Sequence, residues 1–212
     1  MPVKTTSFIR RAERDDLDTI VGWMEDPDFA RFLYGDPARS QKQIREQIVA
    51  LLGRTQGHTM PGGIYLLIDN KETGPVGMLS LQHISWRNRC CAIDLYMGAK
   101  ALRSRIVAGI ATYRAIEYCF DELNLHRVQA FIYNFNTPSW RLFEKTGAVR
   151  ELTLHEHVAR EGQFHDVYGY GLLRREFDAF RQDLRFRGAS LQDMIAALQA
   201  EDTAAEQAES AS

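Results

Sequence analysis

The sequence predicts an α/β (α+β) chain, a single domain in which helices pack on a mostly antiparallel sheet. Three observations point there. Between Ile64 and Met97, apolar runs alternate with short polar turns, which is how an antiparallel meander reads. Ile110, Tyr113, Ile116, Phe120 and Leu123 recur at the 3.6-residue spacing of a helix buried along one side, with Glu117 as the polar exception. Val149 to Val158 and His165 to Leu173 flank Arg160-Glu-Gly-Gln, the pattern of a hairpin. A chain of 212 residues is long enough for one well-buried core.

In chain order, Phe8 to Ala12 reads as a short first strand, and Glu13 to Asp16 supplies acids suited to a helix start. Leu17, Ile20, Val21 and Met24 form the buried stripe of that helix. A second helix is predicted over 38–52 from Ile44, Ile48, Leu51 and Leu52, with Asp26-Pro-Asp and Gly35-Asp-Pro punctuating the connection. Strands follow at Ile64 to Asp69, Val76 to Ile84 and Cys91 to Met97, separated by Asn70 to Pro75 and Ser85 to Arg89. The long helix is predicted over Gly109 to Leu123, then a strand over Arg127 to Tyr133 and a helix over Pro138 to Thr146, where proline suits the first turn and Gly147 the C-terminal end. Residues 178–199 form a helical extension, and 200–212, nearly all Ala, Glu, Ser and Gln, a disordered tail.

The formal net charge is −2, and Glu201, Asp202, Glu206 and Glu209 supply four negatives, leaving +2 for the rest. Neither value describes a nucleic-acid-binding surface. No apolar run reaches the roughly 20 residues that span a bilayer, and MPVKTTSF lacks a signal-peptide core, so the expected setting is cytoplasmic, without a membrane partner. Of the three cysteines, Cys90 and Cys91 are neighbours and point to opposite faces of a strand; with Cys119 they read as reduced thiols rather than a disulfide framework.

The chemistry is concentrated near the end of the long helix. Phe120-Asp-Glu-Leu-Asn-Leu-His-Arg-Val128 leads into a strand, and Asn136, Ser139, Glu144, Lys145 and Gly147 follow in the spacing N-x-x-S-x-x-L-x-E-K-x-G-A. This arrangement resembles the GNAT superfamily of acetyl-CoA-dependent N-acyltransferases, in its ribosomal-protein-acetyltransferase-like (Rim-type) branch. The resemblance covers roughly Phe8 to Phe177 and implies a GNAT domain over 1–177, with a twisted sheet splayed in its middle. It also implies acetyl-CoA as co-substrate, an amine acceptor, and a homodimer as a common assembly.

N-acylation by a thioester needs a pyrophosphate site, a cleft for the pantetheine arm, a neutral amine and a proton for the leaving thiolate. A helix N-terminus suits the pyrophosphate, since its free N–H groups and dipole favour negative charge. The positions that resemble the family's loop [RQ]-x-x-G-x-[GA] are Arg103, Ser104, Arg105, Ile106, Val107 and Ala108, followed by Gly109. Ile106 stands where the first glycine belongs, a bulky residue where phosphates approach backbone.

The resemblance makes Asn136 a pantetheine contact and Ser139 the donor to the thiolate, because Phe143 occupies the position of the family's frequent tyrosine acid. Ala92 stands where many relatives carry a glutamate base. Asp94, two residues on and on the same strand face, is the candidate base, with His83 second and water third. Backbone N–H groups near Tyr96 and Met97 would polarise the thioester carbonyl. Tyr34, in the helix–loop–helix region that covers the acceptor groove in the family, His83 and Tyr168 are the acceptor-side candidates. His155, Glu156, His157 and His165 have no recognisable ligand spacing, so no metal is expected.

The expected activity is direct attack by a primary amine, from a small molecule or a peptide N-terminus, on acetyl-CoA. Ile106 leaves two alternatives: a different acyl-CoA, or a catalytically silent module that binds CoA or a partner.

Overall fold

The computed structural model describes residues 7–25, 42–43, 45–46, 49–50, 60–70, 74–98, 105–160 and 162–186, with single positions at 190, 193, 196 and 200; for residues 7, 8, 70, 105, 106 and 185 it describes backbone only. Tyr34, Arg103 and Ser104 lie outside the described residues, as do most of the helix expected over 38–52 and nearly all of the tail.

Strand β1 (Ser7–Arg11) runs through a 3₁₀ turn (Arg14–Asp16) into helix α1 (Leu17–Glu25). Strands β2 (Ile64–Asn70), β3 (Gly74–Ser85) and β4 (Cys90–Met97) form the meander. Helix α2 (Arg105–Glu117) ends in a π-helical turn (Tyr118–Glu122), and β5 (Arg127–Tyr133) leads to α3 (Thr137–Lys145). Strands β6 (Val149–Arg160) and β7 (Gln163–Leu173) make the final hairpin before α4 (Arg174–Phe186).

The seven described strands form one sheet in the order β1-β2-β3-β4-β5-β7-β6. Every neighbouring pair is antiparallel except β4 with β5. The predicted sheet-and-helix architecture is therefore the observed one.

Alternation along the strands gives the sheet two faces. One carries Leu66, Leu79, Leu81, Ile93, Val128 and Tyr170, on which Val107, Ala111, Ile116 and Phe120 of α2 and its π turn pack together with Phe177 of α4. The other carries Leu67 and Met78, covered by Ile20, Val21 and Met24 of α1. Among the described residues, α1 thus covers the β2–β4 half of its face and leaves the β5–β7–β6 half open.

Two element boundaries differ from the sequence reading. Helix α2 begins at Arg105, not Gly109, because Gly109 is buried inside the helix and packing overrides its low propensity. Helix α4 begins at Arg174 and runs through the expected 177/178 boundary, with Phe177 fully buried and Phe180 packed against the core. Cys91 and Cys119 are buried with their sulfurs 3.8 Å apart, and all three cysteines are free. Among the described residues no helix is long and apolar enough to cross a membrane.

Candidate active site

The central feature is the way β4 and β5 part. Their parallel pairing consists of Cys90↔Arg127, Cys91↔Val128 and Ala92↔Gln129 only. Beyond these, β4 continues paired with β3 as far as Met97, and β5 continues paired with β7 as far as Tyr133. Among the described residues the facing edges from Ile93 and Ala130 onward have no strand partner, and the two strands part into a wedge. Such an edge suits a ligand with amide groups of its own.

Asp94 sits on the β4 lip of this wedge, opposite Ser80 of β3. Gln82 Nε2 donates to Asp94 Oδ2 at 2.8 Å and to Ser80 Oγ at 3.0 Å, while Ser80 Oγ donates to the same carboxylate oxygen at 3.5 Å. These partners are uncharged. Burial accordingly pushes the Asp94 carboxyl above its ordinary range, against the smaller opposing effects of the Ser80 hydrogen bond and the nearby His83. His83 is exposed on a β-bulge of β3, with φ of 51° in the left-handed region. Asp94 and His83 are thus brought close enough for charge to couple.

Met97 and Tyr96 end β4 and face opposite sides, Met97 against the α2 core and Tyr96 against the α1 cluster. The chain then passes Gly98, whose N–H donates to Val76 O at 2.9 Å. The Trp23 ring of α1 occupies the space a Cβ at Gly98 would need, so only glycine fits under it. Helix α2 starts shortly after, with Val107 buried in the core and Arg105, Ile106, Ala108 and Gly109 in its opening turns. Unpaired N–H groups at a helix start favour negative charge. The side chains of Arg105 and Ile106 are outside the described residues.

Across the wedge, β5 leads to α3. Asn136 caps the helix by position but makes no side-chain cap hydrogen bond, and Pro138 occupies its first turn. Ser139 N–H donates to Asn136 O at 3.1 Å, and its hydroxyl has no partner among the described residues. Both half-buried side chains are available to a ligand. Phe143 is a core residue whose ring packs 6.3 Å from that of Tyr170. Tyr170 is itself buried, and its hydroxyl donates to Glu144 at 2.8 Å, which with burial raises its pKa well above the usual value. Neither position offers a proton to the wedge.

Tyr168 projects from the face that carries Ile132 and Tyr170, edge-on to Trp140 at 6.4 Å and under the Arg150 guanidinium at 4.6 Å. The structure does not bring it together with Asp94. Phe135, Arg160, Gln163 and His165 line a cavity of about 270 Å³ at the hairpin tip. Among the described residues no group of three or more His, Cys, Asp or Glu could hold a metal ion, and His155 instead lies 3.4 Å from Asp166.

Sequence reasoning missed Ser80 and Gln82. Their alternation with Asp94 is visible in the sequence, but their register is not. Ser85 pairs with Cys90, whereas Gln82 pairs with Ala92, so the bulge at His83 and Ile84 shifts the count by one. Without that extra residue Asp94 would stand opposite Leu81.

Residues 8–149 match the family described as "Acetyltransferase (GNAT) domain". The chain is 27% identical over 171 residues to the uncharacterized N-acetyltransferase p20 of Bacillus licheniformis, covering 80% of this chain and 93% of that one. It is 22% identical over 169 residues to spermidine N(1)-acetyltransferase of Vibrio cholerae, covering 80% and 94%. The crystal structure of spermidine N-acetyltransferase from Vibrio cholerae in complex with CoA and spermine shares the fold, with a TM-score of 0.70, 20% identity, and 81% of this chain and 97% of that chain covered. The chain belongs to the acetyltransferase (GNAT) domain family and is an enzyme that transfers acetyl from acetyl-CoA to an amine.

Proposed function

We propose that this enzyme holds the pantetheine arm of acetyl-CoA in the β4–β5 wedge and presents the thioester to a primary amine entering from the α1 side of the sheet. The single observation that carries this is the placement of Asp94 on one lip of the wedge, and of Asn136 and Ser139 where the other strand leads into a helix. The pyrophosphate lies at the α2 N-terminus, where Arg103 and Arg105 would complement its charge. Asn136 contacts the pantetheine amides. Backbone N–H groups near Tyr96 and Met97 steady the carbonyl oxygen as it gains charge.

The amine arrives as an ammonium ion, and Asp94 takes a proton from it, directly or through water. Its raised pKa makes it a better base than an ordinary carboxylate. The amine nitrogen then bonds to the acetyl carbon, the C–S bond breaks as Ser139 donates a hydrogen bond to the departing thiolate, and the second proton leaves the nitrogen and reaches the sulfur through water, so that the products are the amide and the CoA thiol. No side chain forms a covalent intermediate. The motif running from Phe120 to Ala148 supports placement in the Rim-type branch, whereas the similarity to spermidine N-acetyltransferase makes polyamines a second acceptor class to test.

The test is a thermal melt with acetyl-CoA, a longer acyl-CoA and CoA alone, followed by thiol release with a panel of amines. A ligand that binds only the folded state raises the melting temperature. A rise with acetyl-CoA together with amine-dependent thiol release is the expected result. No shift with any of the three sinks the donor site at Arg105 and the wedge.

A further inference from the structure

The wedge has a second lip, formed by β5. Ala92 and Gln129 are the last paired residues of β4 and β5 and share the α1-side face. Two residues further on, still on that face, are Asp94 on β4 and Phe131 on β5. They are the first side chains on that face beyond the last β4–β5 pair, one on either side of the opening.

Phe131 is 51% exposed although β5 lies between β4 and β7 in the sheet. A large aromatic left half in water on an interior strand, stacked on no other ring among the described residues, calls for an occupant. Its partner on β7 is Gly169, and the partner of Gly169 on β6 is Leu152, itself 41% exposed. Leu152 lies against Gly169 so closely that a Cβ there would sit 2.7 Å from its Cγ. Leu152 therefore leans over Gly169 towards Phe131, and the two make one exposed apolar surface running away from Asp94. The charged neighbours do not alter this, because Arg127 Nη1 donates to Glu151 Oε1 at 2.7 Å and the two neutralise each other over Gly171.

We propose that the acceptor carries an apolar group beside its reactive primary amine, with the ammonium between Asp94 and the Phe131 ring and the apolar group lying on the surface that Phe131 and Leu152 present. A polycation gains little there, since beyond Asp94 the described carboxylate next to that surface, Glu151, is already paired. This rests on acetyl transfer occurring at the wedge.

The experiment compares 2-phenylethylamine, n-hexylamine, ethanolamine and spermidine by thiol release from acetyl-CoA, in the unaltered protein, Phe131→Ala and Leu152→Ser. Expected are higher kcat/KM for the two apolar amines and about a tenfold loss for them in Phe131→Ala, the order set by removing an apolar contact of ring size. The loss should appear in the acceptor KM and be larger for the two apolar amines than for ethanolamine, with the acetyl-CoA KM little changed. Preference for spermidine or ethanolamine, or equal losses for all four amines, overturns the proposal. A melting shift with acetyl-CoA but no reaction of either apolar amine overturns the acceptor class alone, whereas no shift and no thiol overturn the wedge reading with it.

Discussion

Burial holds the Asp94 carboxyl above its ordinary range, and Gln82 and Ser80 fix its direction without supplying a counter-charge. The native state therefore binds this proton more tightly than the unfolded chain does. Stability contributed by the group falls as pH rises from the unfolded carboxylate pKa through the folded one, and at neutral pH the buried charge is a net cost. Asp94→Asn keeps the shape and removes both the base and the charge. Amine-dependent thiol release is expected to fall about 100-fold or more, the usual contribution of a general base. The melting temperature should rise at pH 7, and that gain should vanish in acid, where Asp94 is protonated in both states. In the unaltered enzyme the acid limb of kcat/KM should lie above the ordinary carboxylate range. An Asn variant with full activity would transfer the base role to His83 or to water.

At the scale of elements, one arginine ties together three segments that set the position of α1. Arg10 of β1 donates from Nη1 and Nη2 to Asp16 at 2.8 Å each, and from Nε to Asp69 of β2 at 2.9 Å. Asp16 also accepts from Glu13 N–H at 2.8 Å, closing the turn from which α1 starts. The guanidinium holds the Asp16 carboxyl below the usual range. Such a group stabilises the fold above its unfolded pKa, and that contribution is lost as pH falls through the folded value. The Arg10 side chain is 37% exposed and that of Asp16 10%, so the pair lies between a solvent-screened bridge and a buried one. Arg10→Leu is therefore expected to cost about 1–3 kcal/mol at pH 7 in denaturant melts, shrinking towards zero in acid. A loss that does not depend on pH would mean that Arg10 acts through packing alone. The buried stripe of α1 could be read from Leu17, Ile20, Val21 and Met24. The tie could not, because Asp69 meets Arg10 only once β1 and β2 pair.

Across the whole molecule, elements with strong periodicity were legible and the features that depend on register were not. The meander, the long helix and the final hairpin follow from spacing, and the position of Asp94 on a strand face follows from alternation. The Ser80–Gln82 support and the Phe131–Leu152 surface depend on a bulge and on two glycine-containing pairings that no local pattern encodes. The start of α4 was not legible for a similar reason. Arg174, Arg175 and Glu176 look like surface, yet α4 starts there because Phe177 inserts between Tyr113 and Phe120, with ring centroids at 5.1 and 5.6 Å. The same helix continues to hold the core past 177. Phe180 reaches Tyr113 at 6.3 Å, and Arg181 Nη1 donates to Asp121 Oδ2 of the π turn at 2.7 Å while its guanidinium lies 5.0 Å from the Phe177 ring. Chains ending at Phe177 and at Phe186 should therefore behave differently. The longer one keeps every one of these contacts and should melt close to the full chain. The shorter one loses Phe180, Arg181 and the helix that seats Phe177, a loss of at least about 3 kcal/mol by the scale of aromatic core deletions. Because α2 and its π turn carry the other side of this cluster, the shorter chain should also bind acetyl-CoA less tightly at the α2 N-terminus. Equal melting of the two chains would restore the boundary at 177 and make the rest of α4 an appendage.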